Sequence, residues 1–226
     1  KKRRKNSWNR YKTMFSNIKV LIWDFDGTMY KPIPELWKEI REAEYRTIMD
    51  HTGWPHERAV EEFTKLHEII PSATATVASL SSIRTPQATL YGERYIDRKK
   101  YLHRDEKLIA LFKKIHHLTH YMLVNGVQES TLESLGVLGL STDRFIEIIT
   151  SEIVGENKPS EKGFRYILDK TGLPPDQHLM IGDREAVDLV PAKNLGMKTC
   201  LVWSDAPSPV ADFTIPTVYD VGNIIK

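Results

Sequence analysis

Cysteine is almost missing from this chain: 226 residues contain one, Cys200. An internal disulfide is therefore excluded, and a reducing, cytoplasmic setting is expected. Long hydrophobic runs are missing too. Nothing approaches the roughly 20 apolar residues that cross a bilayer, so no membrane partner is expected. The chain has no Gly-x-Gly-x-x-Gly after an apolar run and no Gly-Lys-Ser/Thr loop, which disfavours dinucleotide and nucleoside-triphosphate folds. It also lacks an internal repeat and any large charge imbalance, with 32 basic and 30 acidic residues.

The small positive balance is local. Residues 1 to 13 carry seven lysines and arginines and no acid, and the rest of the chain has 25 basic against 30 acidic residues, a net −5. Such a tail can touch nucleic acid or an anionic surface. The blander expectation is a disordered leader or an upstream extension, with Met14 just ahead of the first apolar run. The tail has no apolar stretch of a secretory signal.

What is present is an ordinary globular composition, 41% hydrophobic and 27% charged, and one informative stretch. Val20-Leu21-Ile22-Trp23 reads as a buried strand, and it runs into Asp24-Phe25-Asp26-Gly27-Thr28. Side chains alternate along an extended chain, so Asp24 and Asp26 start on one side. Two carboxylates held together repel, and one can have its pKa raised. A hard cation such as Mg²⁺ relieves that repulsion through oxygen ligands. One carboxylate is then available as nucleophile and the other as proton carrier. Gly27 lets the backbone turn away.

After this strand the pattern becomes helical. Leu36, Ile40 and Ala43 recur at helical spacing up to Gly53, and a second helix is expected from Pro55 to about Ile70, where Pro71 breaks it. Residues 72 to 101 carry helical signals with breaks at Pro86 and Gly92 and are hard to read. Regular alternation begins near Asp105. Helices are expected from there to Ile115, over Ser130 to Leu135 ending near Gly136, over Ser160 to Lys170, and over Asp188 to Leu195. Strands are expected at Tyr121 to Val124, Phe145 to Ile149, His178 to Ile181 and Lys198 to Val202. Alternation of this kind implies an α/β fold, a doubly wound parallel sheet covered on both faces.

Three further segments fall where strands end, and ligands in open α/β sheets bind there. Leu179-Met180-Ile181-Gly182-Asp183 brings an aspartate out of an apolar run, and Asp188 follows five residues on. Asp188 is also a reasonable helix N-cap, with Pro191 in the first turn. Lys158-Pro159 precedes a helix, and its ammonium would offset clustered carboxylates and a bound phosphate. Leu123-Val124-Asn125-Gly126 ends the second expected strand.

Together these segments resemble the four motifs of the haloacid dehalogenase superfamily, most of whose members are Mg²⁺-dependent phosphatases. The resemblance runs from Ile18 to the C-terminus. It implies a Rossmann-like core with a helical cap inserted after the first strand: tail 1–13, core 14–31, cap 32–103 and core 104–226. It also implies Mg²⁺ held by the Asp24 carboxylate, the Asp26 carbonyl and the Asp183 carboxylate, with Asp188 and Thr28 supporting. Asp24 is then the nucleophile, Asp26 the proton carrier and Lys158 the charge neutraliser. Asn125, Gly126 and Lys158 are placed on the phosphate.

One position departs from the pattern: Val124 stands where the family carries Ser or Thr, which removes a hydrogen-bond donor to the phosphoryl group. The resemblance leads to a phosphomonoester hydrolase acting on a small phosphorylated metabolite, such as a nucleoside monophosphate or sugar phosphate. Val124 keeps a non-catalytic binding protein open, and a phosphomutase is the other alternative. The second aspartate argues against dehalogenation, because displacing a halide needs no general acid.

Other candidates carry less. His116, His117 and His120 are close enough to suggest a metal site, though a helix C-terminus explains them as well. Trp37 and Trp54 could stack on a substrate base but suit packing equally. Cys200 lies in an expected strand and reads as buried.

Overall fold

The computed structural model describes residues 16–225. The basic segment 1–13, and any nucleic-acid contact expected of it, lies outside the described residues. Among those described, no helix is long and apolar enough to cross a membrane.

The apolar run after Ile18 forms β1 (Val20–Trp23). Four further expected strands follow as β2 (Thr119–Leu123), β3 (Glu147–Ile149), β4 (His178–Gly182) and β5 (Lys198–Leu201). A sixth, β6 (Phe213–Thr214), is only two residues long and was not expected. The strands pair in parallel in the order β3-β2-β1-β4-β5-β6. This is the doubly wound α/β sheet that the alternation implied.

Both faces of the sheet are covered, which is why its central strand, Val20–Trp23, is apolar without a break. Leu21 and Trp23 face one core, with Met122, Leu179 and Cys200. There they meet Leu108, Leu111 and Phe112 of α5 (Glu106–Lys114) and Leu135 of α6 (Gln128–Leu138). Val20 and Ile22 face the other, with Tyr121 and Met180, against Phe164 and Ile167 of α8 (Lys162–Thr171). Cys200 is fully buried, and burial pushes its thiol pKa up, so it is packing rather than chemistry.

Between β1 and β2 lie α1 (Pro34–Thr52), α2 (His56–His67), α3 (Ala73–Leu80), α4 (Thr85–Glu93) and a 3₁₀ turn at Arg98–Lys100. They have their own core of Ile48, Ala59, Phe63, Val77, Ala78 and Ala88. Residues 72 to 101, hard to read beforehand, supply α3, α4 and the 3₁₀ turn. Ser72 caps α3 by accepting a hydrogen bond from the Ala75 amide. Pro55 stands one residue before its helix in extended backbone, rather than in the first turn.

Other boundaries moved for identifiable reasons. Helix α6 runs through Gly136 and stops at Gly139, the glycine with φ +82°. Helix α8 begins two residues after Ser160 and follows the short α7 (Ser151–Val154). Asp188 is not an N-cap: it lies inside a π-helical turn, Glu185–Leu189, that leads into α9 (Val190–Asn194). The chain closes with α10 (Val221–Ile224).

The histidines after α5 bond the end of that helix, as a C-terminal role implied: His116 Nδ1 lies 2.9 Å from the Lys113 carbonyl, and His120 bonds the C-cap residue Ile115. His120 is buried in β2, where Nδ1 accepts from Trp23 Nε1 at 3.1 Å and Nε2 donates to the Ile115 carbonyl at 3.1 Å. That pair of bonds requires the neutral ring. Burial lowers its pKa from 6.5 to about 4. The unfolded chain therefore binds a proton first as pH falls, and stability drops between pH 6.5 and 4, by about 3 kcal/mol at most for this group. Urea titrations of His120→Gln are expected to lose that part of the pH dependence.

Candidate active site

Strand β1 is the switch point of the sheet, with successive crossovers leaving it in opposite directions. The carboxyl ends of β1, β2 and β4 therefore form a crevice. Asp24 follows β1, Val124 and Asn125 follow β2, and Asp183 follows β4. Asp24, Asp26, Val124, Asn125 and Asp183 all line one cavity of about 420 Å³, roofed by the inserted helices.

Lys158 is the buried centre of this site. Its Nζ lies 2.6 Å from Asp24 Oδ1 and 2.7 Å from Asp188 Oδ1, and all three side chains are almost fully shielded from solvent. Burial opposes the ammonium, but Asp188 and Asp24 outweigh it, so the Lys158 pKa is raised. The Asp24 pKa is raised as well, by burial first and then by Asp188, against the pull of Lys158. Thr28 Oγ1 donates to Asp24 Oδ2 at 2.8 Å, which fixes the carboxylate plane. Trp203 Nε1 donates to the Thr28 carbonyl at 3.0 Å and holds that turn from the far side.

Asn125 braces the lysine. Its Oδ1 accepts from the Lys158 amide at 2.7 Å and its Nδ2 donates to the Lys158 carbonyl at 2.8 Å. One Nδ2 hydrogen remains for other use.

Asp183 has a different environment. Its Oδ1 is buried without a hydrogen-bond partner. Desolvation, then the charges of Asp24 and Asp188, raise its pKa to about 8. Two glycines make this crowding possible. A Cβ at Gly27, whose φ is +83°, would stand 2.5 Å from Asp183 Oδ2, and one at Gly182 would stand 2.6 Å from Asp188 Cβ. Asp24, Asp183 and Asp188 each offer a carboxylate oxygen, all within 4.8 Å of one another. Asp188 already uses Oδ1 on Lys158 and Oδ2 on the Arg184 amide, so the unengaged oxygen is that of Asp183. Three carboxylates face two cations, Lys158 and Arg184, an acidic excess that suits a hard divalent ion with oxygen ligands. The Asp26 carbonyl accepts no backbone hydrogen bond among the described residues.

The repulsion expected between Asp24 and Asp26 does not govern either group. Asp26 turns instead toward Arg98 of the inserted segment, which donates from Nε at 2.9 Å and from a terminal nitrogen at 2.8 Å. Tyr30 donates to the same carboxylate. Burial works against ionisation of Asp26, but these partners win and hold its pKa below the usual carboxylate value. Glu93 pairs with the other terminal nitrogen of Arg98.

Arg98, Tyr30, Glu93 and Arg184 escaped the sequence reading. Arg98 sits in the run Asp97-Arg98-Lys99-Lys100, which reads as a solvated charge cluster, and only the fold singles out one member. Lys158→Met leaves Asp24 and Asp188 facing each other without their buried cation. It is expected to cost about 3–5 kcal/mol in urea unfolding, and Asp188→Asn in the same chain is expected to recover part of that loss.

Comparison with known proteins agrees with this fold. A glyceraldehyde 3-phosphate phosphatase of Methanocaldococcus jannaschii is 25% identical over 225 residues, covering 92% of this chain and 97% of the relative. A phosphoglycolate phosphatase of Aliivibrio fischeri is 25% identical over 75% of this chain and 78% of its own length. Among solved structures, a HAD phosphatase from Thermococcus onnurineus superposes with a TM-score of 0.63 at 21% identity, covering 92% of this chain and 97% of that one. The family's own sequence profile, described as haloacid dehalogenase-like hydrolase, matches residues 18–196. With that profile matching most of its length, the chain belongs to the haloacid dehalogenase-like hydrolases, and the curated relatives above are named as phosphatases.

Proposed function

We propose that this chain is a Mg²⁺-dependent phosphomonoester hydrolase that works through a phosphorylated Asp24. The observation that carries the reading is the Asp24 carboxylate, buried at the mouth of the sheet and held in one orientation by Lys158 and Thr28. The inserted helices act as its cap. Asp24 and Asp183, with the Asp26 carbonyl, would hold Mg²⁺, which supplies positive charge against the phosphoryl oxygens. The unpartnered Asp183 oxygen supports that assignment. Asp188 acts at one remove, by fixing Lys158 and the Arg184 amide.

The chain's own groups divide the work as follows. An Asp24 oxygen attacks phosphorus, and the bond from phosphorus to the leaving oxygen breaks. Asp26, which Arg98 and Tyr30 hold ionised in this structure, must first take a proton from solvent and then gives it to that oxygen. Water then attacks phosphorus, Asp26 takes the water's proton, and Asp24 is released with free phosphate. Lys158 balances Asp24 in its ionised state. Asn125 holds the Lys158 loop and, with its spare Nδ2 hydrogen and the Gly126 amide, faces the phosphate.

The substrate is a small phosphorylated metabolite, of the sugar-phosphate kind that the relatives' names point to. Its leaving group lies in the roofed cavity of about 420 Å³, a size ordinary for small-molecule sites. Val124 favours one rival, a binding protein that does not turn over.

Phosphate release from a panel of triose phosphates, phosphoglycolate and nucleoside monophosphates separates the two. Release is expected only with Mg²⁺, and Asp24→Asn is expected to reduce it to background. No release from any compound, or release untouched by Asp24→Asn, overturns the hydrolase reading. Since Asp183 titrates near 8, a divalent ion must displace its proton at neutral pH. Mg²⁺ affinity measured by calorimetry is therefore expected to rise with pH up to about 8.

A further inference from the structure

Arg184 stands out among the charged groups of the crevice because it lacks a close partner. It follows Asp183 directly and lines the same cavity as Asp24, Asp183, Val124 and Asn125. Its Nε is shielded from solvent and makes no hydrogen bond. The one carboxylate within ion-pairing reach among the described residues is Asp183, at 3.9 Å, too long for a hydrogen bond. The two buried cations of the site are engaged: Lys158 by two carboxylates, Arg98 by Asp26 and Glu93. The Arg184 side chain is half-buried, with its Nε turned from water and unbonded, and the five fixed donors of a guanidinium suit an oxyanion.

The same cavity has the opposite deficiency at Val124. This residue follows β2, is buried, and lines the same cavity as Asp24 with an apolar side chain. Its amide is spent on the Ile149 carbonyl at 2.9 Å. Thr28, the hydroxyl next to Asp24, is spent on the nucleophile itself. Beside the donors of Asn125 and Gly126, the hydroxyl of this position is therefore missing, and a free donor group lines the same cavity.

We infer that Arg184 is a catalytic residue of this chain: its guanidinium donates to a non-bridging oxygen of the phosphoryl group and takes over the task for which Val124 has no hydroxyl. This rests on the proposed hydrolase reading. The π-helical turn anchors it, because Asp188 Oδ2 accepts from the Arg184 amide at 3.1 Å and fixes the backbone from which the side chain projects.

A double-mutant cycle on the full chain tests this, using Arg184→Met, Val124→Thr and the pair together. Two readouts are needed: kcat for a phosphomonoester, and the affinity for inorganic phosphate by calorimetry. Arg184→Met is expected to lower kcat by about 10²-fold, the usual loss for one preorganised donor, and to weaken phosphate binding about tenfold. Val124→Thr is expected to raise kcat far more in the Arg184→Met chain than in the wild type, because the hydroxyl then fills a vacant role. That recovery also proves the variant folded, and Arg184→Lys is expected to fall between the two.

Equal effects of Val124→Thr in both backgrounds overturn the inference. So does an Arg184→Met enzyme within twofold of wild type in kcat and phosphate affinity. If the wild type itself releases no phosphate, the hydrolase reading fails instead. The calorimetric arm still decides for Arg184, with lost phosphate binding in Arg184→Met supporting it and unchanged binding overturning it.

Discussion

The site depends on one buried ammonium. Lys158 reaches from the segment between α7 and α8 to the ends of two separate strands and there touches Asp24 and Asp188. Without it, the crevice would crowd three carboxylates at the foot of the cavity, and burial alone would drive them toward the neutral form. With it, a carboxylate can persist as an anion at the point where the sheet opens. The supports follow from that requirement: Asn125 holds the lysine's backbone, Thr28 orients one carboxylate, and the turn after β4 presents the other.

The same requirement explains where glycine is needed. Gly27 and Gly182 are the residues beside which Asp183 and Asp188 approach the backbone most closely. A side chain at either would push a carboxylate out of the cluster. The apolar strands behind them, sandwiched between two cores, supply a rigid platform from which these short side chains converge.

Much of this arrangement is legible in the amino-acid order because it is carried by runs with a single reading. Val20–Trp23 and Leu179-Met180-Ile181 are apolar throughout and each leads to an aspartate, so sheet and crevice follow together. Legibility fails where local signals compete. Gly136 and Gly139 are equally plausible helix stops, and only the left-handed backbone of the second decides. The strand at Phe213–Thr214 is too short to show a period. Asp188 carries every mark of a cap, but packing draws it into a π turn so that it can reach the lysine. Arg98 and Arg184 are invisible for a related reason. A charged residue in a loop is nearly always solvated, and nothing nearby in the chain marks these two as directed inward.

The contact between Arg98 and Asp26 joins two parts of the molecule with different cores. Arg98 belongs to the segment inserted between β1 and β2, whereas Asp26 belongs to the loop after β1. While the guanidinium is docked, the carboxylate stays ionised; once it withdraws, the carboxylate binds a proton more readily. The charge of one carboxylate thus belongs to both cores at once, and adding a proton to it would weaken the pairing that ties them together.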